Sequence, residues 1–311
     1  MSPATTASSA LAPTLAEWGG RIVVIVGPTA VGKSAAAIEL AERIGGEIVS
    51  ADSRCVYRYM DIGTAKPTAE ERARVPHYLV DLVDPDEDYS VAHFLRDARA
   101  ALARIERPIV VGGTGYWVAA LLGKGVSASV GPNAALRSEL EVLPIEELRG
   151  RLARLDPGAR VDPHNRRRLI RAVEVVTATG RPFAESTARP EPLPAVVFGL
   201  TLPRDLLYQR IDARYDQMVA AGWVDEVRSL LARGYGRELP AMSGLGYREI
   251  AAHLSGELTL DEALHRTKLR GHRYARSQYN WFKLDDPTIR WLDARGPVVD
   301  QMIAALERGR R

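Results

Sequence analysis

The chain has 311 residues, with 42 Lys and Arg against 39 Asp and Glu, a formal net charge of +3, and 46% hydrophobic residues. The near balance of charge excludes a histone-like basic protein and an acidic solvating tail. The length suits about two domains of roughly 100–200 residues each, with a core that needs neither disulfide nor metal. The lone cysteine, Cys55, excludes an intrachain disulfide framework and a cysteine-based zinc site, and it fits a reducing compartment. No apolar run approaches the ~20 residues of a membrane-spanning helix. The Ala/Ser/Thr-rich N-terminal stretch has no basic region ahead of its apolar residues. A cytoplasmic protein with a flexible tail over residues 1–20 is expected.

In chain order, Arg21–Val26 is a β-branched run without alternation, as expected of a strand buried on both faces. Gly27–Gly32 is a loop. Ser34–Ile44 carries Ala36, Leu40, Ala41 and Ile44 at helical spacing, and Gly45 and Gly46 stop it. Glu47–Ser50 is a second short strand. Val91–Ile105 is an amphipathic helix with Phe94, Leu95, Ala98, Leu102 and Ile105 on one face, and Pro108–Val111 is another buried strand ending at Gly112 and Gly113. This alternation predicts an α/β domain with a parallel sheet. From about 127 to 189 the pattern is helical without a convincing strand, and 146–155 and 166–179 are the clearest helices. Pro190, Pro192 and Pro194 mark an exit, and 196–202 is strand-like again. After Pro203 the chain reads as helices over 204–221, 224–233, 247–254 and 260–281. The expected organisation is a tail (1–20), the first part of the core (21–126), a helical insertion (127–190) and a mostly helical second part of the core (191–311).

Gly27-Pro28-Thr29-Ala30-Val31-Gly32-Lys33-Ser34 matches the phosphate-binding pattern G-x-x-x-x-G-K-[ST], with a buried strand before it and a helix after it. Glycines let backbone N–H groups turn inward around phosphate oxygens, and the helix N-terminus adds about half a positive charge. Lys33 can reach the terminal phosphate, and Ser34 can bind Mg²⁺. The loop is common in nucleotide-binding and ATP-binding proteins. It identifies a diphosphate or triphosphate and leaves kinase, ATPase, GTPase and other transferases open.

Asp52 sits just past the end of the second strand, where ligands of open α/β sheets bind. A carboxylate there can accept a proton or bind metal through water. The alternative is that Asp52 or Ser53 caps a helix. Gly112-Gly113-Thr114-Gly115-Tyr116 would bring Thr114 to the same sheet edge, or form a plain turn.

The motif GPTAVGKS at 27–34, followed by SADSRCVYRYMDIGTAKP at 50–67 and VVGGTGYW at 110–117, resembles the tRNA dimethylallyltransferase family. The resemblance extends from Arg21 to Trp291 through RLIRAVEV at 168–175, LYQRIDARYDQM at 207–218, GLGYREI at 244–250, YARSQ at 274–278 and WF at 281–282. It implies a P-loop NTPase-like core with a helical insertion that binds tRNA. It implies transfer of a dimethylallyl group from its diphosphate to the N6 amine of the adenosine beside the anticodon, position 37. On this resemblance the loop 27–34 holds dimethylallyl diphosphate and Asp52 takes the proton from the amine. Thr114 bonds near Asp52 and the base, Arg214 grips the diphosphate, and Mg²⁺ is the cofactor. A monomeric enzyme acting on the anticodon stem-loop is expected.

Arg210 and Arg214 are four residues apart and share a helix face, where pairing with Asp212 or Asp216 is the alternative to binding diphosphate. Between Arg151 and Arg189 there are nine Arg, no Lys and four acids; between Arg266 and Lys283 there are six Lys or Arg, no acids, and Tyr274, Tyr279, Trp281 and Phe282. Such runs are either solvated helix faces or an RNA footprint of cations and stacking rings. The tRNA-facing residues expected are Asp52, Ser53, Arg54 and Cys55 after the second strand, and Arg167, Arg168 and Arg171 in the insertion. Gly246, Tyr247 and Arg248, and Arg273 and Arg276 on the last basic helix, complete the set. The sequence departs from the family pattern at Val31, Cys55, Gly271, His272 and Ser277, and it ends without the Cys/His finger of eukaryotic relatives, which implies a bacterial type. Three other readings stand beside this one: prenyl transfer to free adenine nucleotides, a P-loop small-molecule kinase, and an RNA-binding module without catalysis.

Overall fold

The computed structural model describes residues 21–308 apart from 125, 126, 129, 132, 189 and 190, so the expected tail 1–20 lies outside the described residues. The elements in order are β1 (Ile22–Val26), α1 (Lys33–Ile44), β2 (Glu47–Ser50), α2 (Ala69–Arg74), β3 (His77–Tyr78), α3 (Val91–Leu102), β4 (Pro108–Val111) and α4 (Gly115–Leu121). Then come β5 (Ser127–Ala128), α5 (Ala134–Glu141), α6 (Ile145–Leu155), α7 (Arg166–Thr179) and β6 (Thr187–Ala188). The chain continues with β7 (Ala195–Thr201), α8 (Arg204–Ala220), α9 (Trp223–Ala232), α10 (Tyr247–Leu254), α11 (Leu260–Gln278), β8 (Ile289–Asp293) and α12 (Val298–Arg308).

The described residues form two compact units, one from 21–119 and 193–308, the other from 120–192. The first is built on a six-stranded sheet in the order β3-β2-β4-β1-β7-β8. Every pairing in it is parallel. The unbroken Ile-Val run of β1 is explained by its central place, since all five residues are buried. β1 pairs with β4 through Ile25 and Val111, and β2 pairs with β4 through Ser50 and Val111. The loops after β1, β2 and β4 therefore emerge together at the carboxyl edge of the sheet, where open α/β sheets bind ligands.

Two strands of this sheet go beyond the sequence expectation. β3 has only two residues, and β8 lies in the region after Pro203 that reads as helices. β8 pairs with β7 from Val197 with Ile289 to Thr201 with Asp293, on the outer edge, and only Ile289 of its five residues is buried. A half-exposed edge strand lacks the apolar run that marks β1. The sequence reading also passes over α2, α4, α5 and the terminal α12, although α2 opens on the Thr68–Glu71 capping box and α12 buries Val299, Met302, Ala305 and Leu306 at helical spacing. α11 ends at Gln278, three residues before the expected Trp281, and its last turns carry on as hydrogen-bonded turns such as Trp281 N–H to Gln278 O at 3.1 Å.

The second unit is helical around Leu140, Leu148, Leu152, Leu169, Ile170 and Val173. It also contains a two-residue antiparallel ladder between β5 and β6, where no strand is expected from sequence. Glu174 is 1% exposed and is held by Arg137 Nη2 at 2.6 Å and Arg171 Nη1 at 3.4 Å. A buried carboxylate persists only with such partners. Among the described residues no helix is long and apolar enough to cross a membrane.

Candidate active site

The loop after β1 has the backbone that its glycines predict. Gly27 has φ 139°, and a Cβ there would lie 2.4 Å from the Leu200 carbonyl oxygen of β7, so no side chain fits. Gly32 is left-handed and is the N-cap of α1, which has no side-chain cap and no acid in its first turn. The first N–H groups of α1 are thus left for an anion. Lys33 Nζ donates to Pro28 O at 2.7 Å. Burial, and next the nearby Arg214, bring the Lys33 ammonium down to about 7, against the opposing pull of Asp52. Val31 is buried, which fits a position where backbone rather than side chain faces the ligand. Ser34 is exposed beside the cleft.

Across the cleft, Asp52 Oδ1 accepts the Arg54 N–H at 2.8 Å. Residues 53–56 form turns rather than a helix, so the helix-capping alternative for Asp52 is replaced by a turn that uses one carboxylate oxygen. Oδ2 makes no hydrogen bond among the described residues. Thr114 Oγ1 accepts the Ser53 N–H at 3.0 Å and donates to Ser53 Oγ at 3.2 Å, which locks the loop after β4 to the loop after β2. The loops come this close because Gly112 has no Cβ: one would sit 2.2 Å from Ala51 O.

From the far end of the chain, α8 supplies Arg214, whose Nη1 donates to Thr29 Oγ1 at 3.5 Å. The pairing alternative fails for it, because Asp212 is bonded to His272 Nε2 at 2.8 Å and Asp216 to Lys268 at 2.7 Å. Arg210 is exposed and lies outside the cleft lining. Lys33, Asp52, Thr114 and Arg214 line one cavity of about 450 Å³, together with the apolar Ile211, Tyr215 and Met218 and the half-exposed rings of Tyr116, Tyr274 and Trp281. That is the size and mixed character of a small-ligand site.

The residues expected to face tRNA divide sharply. Arg167, Arg168, Arg248, Arg273 and Arg276 are exposed; Arg248 Nε also donates to Arg237 O at 3.0 Å and Arg276 Nη1 to Tyr208 OH at 2.8 Å. Ser53 and Arg54 line the cavity, and Arg54 Nη1 and Nη2 grip Pro240 O at 2.9 Å and Ser243 Oγ at 3.1 Å. Arg171 is committed inside its own unit, to Glu174 and to the carbonyls of Val130 and Gly131. Two expectations are corrected. Tyr247 is fully buried and bonds Glu226 Oε1 at 2.7 Å. Gly246 is buried with φ 86°, and a Cβ there would lie 2.0 Å from the Trp223 ring. Cys55, in contrast, lines the cavity beside Ser53 and Arg54; it is 5% exposed, and burial pushes its thiol well up from its ordinary range. The first two support the site from behind; neither offers a surface to RNA.

Sequence reasoning missed several supporting groups. Glu226 Oε2 accepts the N–H groups of Asp61 at 2.8 Å and Ile62 at 2.6 Å, and Oε1 accepts that of Gly63 at 3.2 Å. Lys66, 6% exposed, donates to Asp61 at 2.5 Å, Asp81 at 2.6 Å and Tyr57 O at 2.7 Å. Together they brace the segment that carries Gly63, Thr64 and Ala65 into the cavity wall. Arg270 lines the cavity and is paired with Glu249. No local pattern marks these contacts, because each partner lies far away along the chain or in a loop.

Among the described residues there is no cluster of three or more His, Cys, Asp or Glu that would hold a metal by itself. A single hydroxyl at Ser34 still fits Mg²⁺, which keeps several waters and takes its remaining oxygens from phosphate.

The sequence signature of the family described as IPP transferase matches residues 55–285, and that described as isopentenyl transferase matches residues 20–81. The tRNA dimethylallyltransferase of Roseiflexus sp. (strain RS-1) is 49% identical over 298 residues, covering 92% of this chain and 97% of that protein. That of Geobacter metallireducens is 49% identical over 290 residues, covering 89% and 93%. Among solved structures, the tRNA isopentenylpyrophosphate transferase of Bacillus halodurans superposes with a TM-score of 0.68 at 38% identity, covering 93% of this chain and 98% of its own. A eukaryotic dimethylallyltransferase crystallised acting on tRNA superposes with a TM-score of 0.76 at 28% identity, covering 93% and 77%. With one signature spanning most of the chain and relatives near half identity over nearly all of it, this protein belongs to the tRNA dimethylallyltransferase family.

Proposed function

We propose that the protein transfers the dimethylallyl group of dimethylallyl diphosphate to the N6 amine of adenosine 37, next to the anticodon of tRNA. The observation that carries this reading is that Lys33, Asp52, Thr114 and Arg214, from four separate segments, line one cavity. Cations and uncapped N–H groups sit on one side and a carboxylate with a free oxygen on the other.

The bond from the allylic carbon to the bridging oxygen breaks, and the electron pair leaves with pyrophosphate. Lys33, Arg214 and the N–H groups at the start of α1 stabilise the charge that builds on that oxygen. The exocyclic amine is a weak nucleophile because its lone pair is delocalised into the ring. As the new carbon–nitrogen bond forms, the amine proton passes to Asp52 Oδ2, and Oδ1 stays fixed by Arg54 N–H. Mg²⁺ held through Ser34 would supply further charge neutralisation on the diphosphate. Ile211, Tyr215 and Met218 offer an apolar wall suited to a five-carbon chain. The target base leaves its stack to enter the cavity, as enzymes acting on bases require, and the exposed arginines of α7 and α11 suit the RNA backbone. The enzyme acts as a monomer in the cytoplasm on this reading.

Prenyl transfer from labelled dimethylallyl diphosphate, offered in parallel with unmodified tRNA, AMP and ADP, tests the assignment. Label on tRNA alone supports it. Label on AMP but not tRNA overturns it in favour of a nucleotide prenyltransferase, and phosphate transfer from ATP overturns it in favour of a kinase.

A further inference from the structure

Gln278, the last residue of α11, belongs to neither loop of the cleft and bonds to both. It is 3% exposed. Its Oε1 accepts the Thr29 N–H at 2.8 Å, and its Nε2 donates to Gly113 O at 2.9 Å. The orientation is unambiguous, because an N–H must meet the oxygen and a carbonyl must meet the nitrogen. Two features show that the site is shaped around this contact. A Cβ at residue 113 would lie 2.4 Å from Gln278 Nε2, so any side chain there would push the carboxamide out of its present place. The same position is 3.7 Å from Lys33 Nζ, so the tether runs beside the lysine. Tyr274, one turn earlier on α11, donates its OH to the same Gly113 oxygen at 3.4 Å.

We propose that Gln278 is a positioning residue that ties the diphosphate-binding loop at Thr29 to the Thr114 loop at Gly113, and so fixes the distance between the leaving diphosphate and the Asp52–Thr114 side of the cleft. The Thr29 N–H is used by this tether, so anion binding falls to the N–H groups that follow it in the loop. Only a carboxamide on a two-methylene stem satisfies both partners. Glutamate would set an oxygen against the Gly113 carbonyl and a negative charge beside Lys33. Methionine keeps the volume and makes neither bond, leaving the Thr29 N–H without its acceptor and the Gly113 carbonyl with only the longer bond from Tyr274. The reaction that this spacing serves rests on the function proposed above; the tether itself does not.

The experiment compares wild type with Gln278→Met and Gln278→Glu by titration calorimetry with inorganic pyrophosphate, a probe that needs no RNA. Gln278→Met is expected to weaken pyrophosphate about tenfold, and Gln278→Glu further, because its carboxylate competes for Lys33. In single-turnover prenyl transfer the rate at saturating substrates falls about 10²-fold in Gln278→Met, since misplacement by about an ångström is enough, while the affinity for tRNA is unchanged. A role in stability alone would lower the melting temperature and the active fraction without moving the pyrophosphate affinity of the folded protein. If Gln278→Met does not fold, Gly113→Ala breaks the same tether from the other side, at a backbone position that is not left-handed, and is expected to weaken pyrophosphate likewise. Wild-type pyrophosphate affinity in whichever of these variants folds overturns the proposal. Weakened pyrophosphate binding in an enzyme that prenylates AMP and not tRNA would sink the proposed acceptor and leave the tether standing.

Discussion

Arg214 Nη1 reaches Thr29 Oγ1 at 3.5 Å across 185 residues of sequence, so the cationic side of the cleft is completed by a helix from the second half of the chain. Its neighbour by one helical turn, Arg210, points to solvent. Arg214→Ala is therefore expected to lower kcat/KM for dimethylallyl diphosphate by about 10²–10³, the scale for losing one charge-stabilising group. Arg210→Ala should stay within about twofold. Steady-state kinetics with tRNA in excess separates the two, and equal losses would contradict the assignment.

Asp52→Asn keeps the shape of the turn and removes the proton acceptor. Single-turnover transfer should slow by about 10²–10⁴, the usual range for general-base catalysis. Binding of tRNA in a filter assay should change little. Transfer at the wild-type rate would show that the amine proton leaves by another route.

Lys33 supplies a pH dependence whose sign can be stated. Held near 7 by burial and Arg214, it is charged below that pH and neutral above it, well short of its ordinary 10.5. A bound diphosphate favours the charged form, so binding above pH 7 takes up a proton, and affinity falls as pH rises. Calorimetry at pH 8 in two buffers of different ionisation heat should show uptake of nearly one proton, and Lys33→Met should abolish it.

Glu226 stabilises the segment 61–63 by accepting three successive N–H groups, and it takes the Tyr247 hydroxyl as well. Glu226→Gln turns one acceptor into a donor aimed at donors. A loss of about 1–3 kcal/mol in unfolding free energy is expected, readable by chemical denaturation, with a raised KM for dimethylallyl diphosphate because Gly63 and Thr64 are in the cavity wall.

For the basic residues, exposure predicts the outcome. Arg167→Ala and Arg168→Ala should weaken tRNA binding and flatten its dependence on log salt by about 0.7–0.9 for each phosphate that is no longer neutralised. Arg171→Ala should instead destabilise the unit of residues 120–192, because its guanidinium holds Glu174 and two backbone carbonyls. Filter binding over a salt series, beside a melting curve, distinguishes the two classes.

Local features of the site are legible in sequence. The loop 27–34, the strands around it, and Asp52 and Thr114 at strand ends follow from short-range pattern, since β1 needs two buried faces and its loop needs glycines. What is not legible depends on partners far off in sequence. Gln278 meets Thr29 across 249 residues, and no spacing rule anticipates that. Tyr247 and Gly246 read as RNA-facing from their motif, yet they pack against Glu226 and Trp223. A motif marks that a residue matters; only burial tells whether it touches substrate or holds up the wall. β8 escapes notice because an edge strand with one buried residue carries almost no hydrophobic signal.

The order β4-β1-β7 has a consequence for how the chain is made. β1 pairs on one side with β4, through Val23 and Ile109, and on the other with β7, through Ile22 and Ala195. The residues between β4 and β7 include the whole of the second unit. A nascent chain thus carries β1 with one open, strongly apolar edge until the ribosome has passed residue 201. Loop closure over that separation is slow, and an unpaired buried-type strand is a template for aggregation. A chain stopped before β7 would keep its phosphate-binding sequence intact and still lack the strand against which Gly27 must pack.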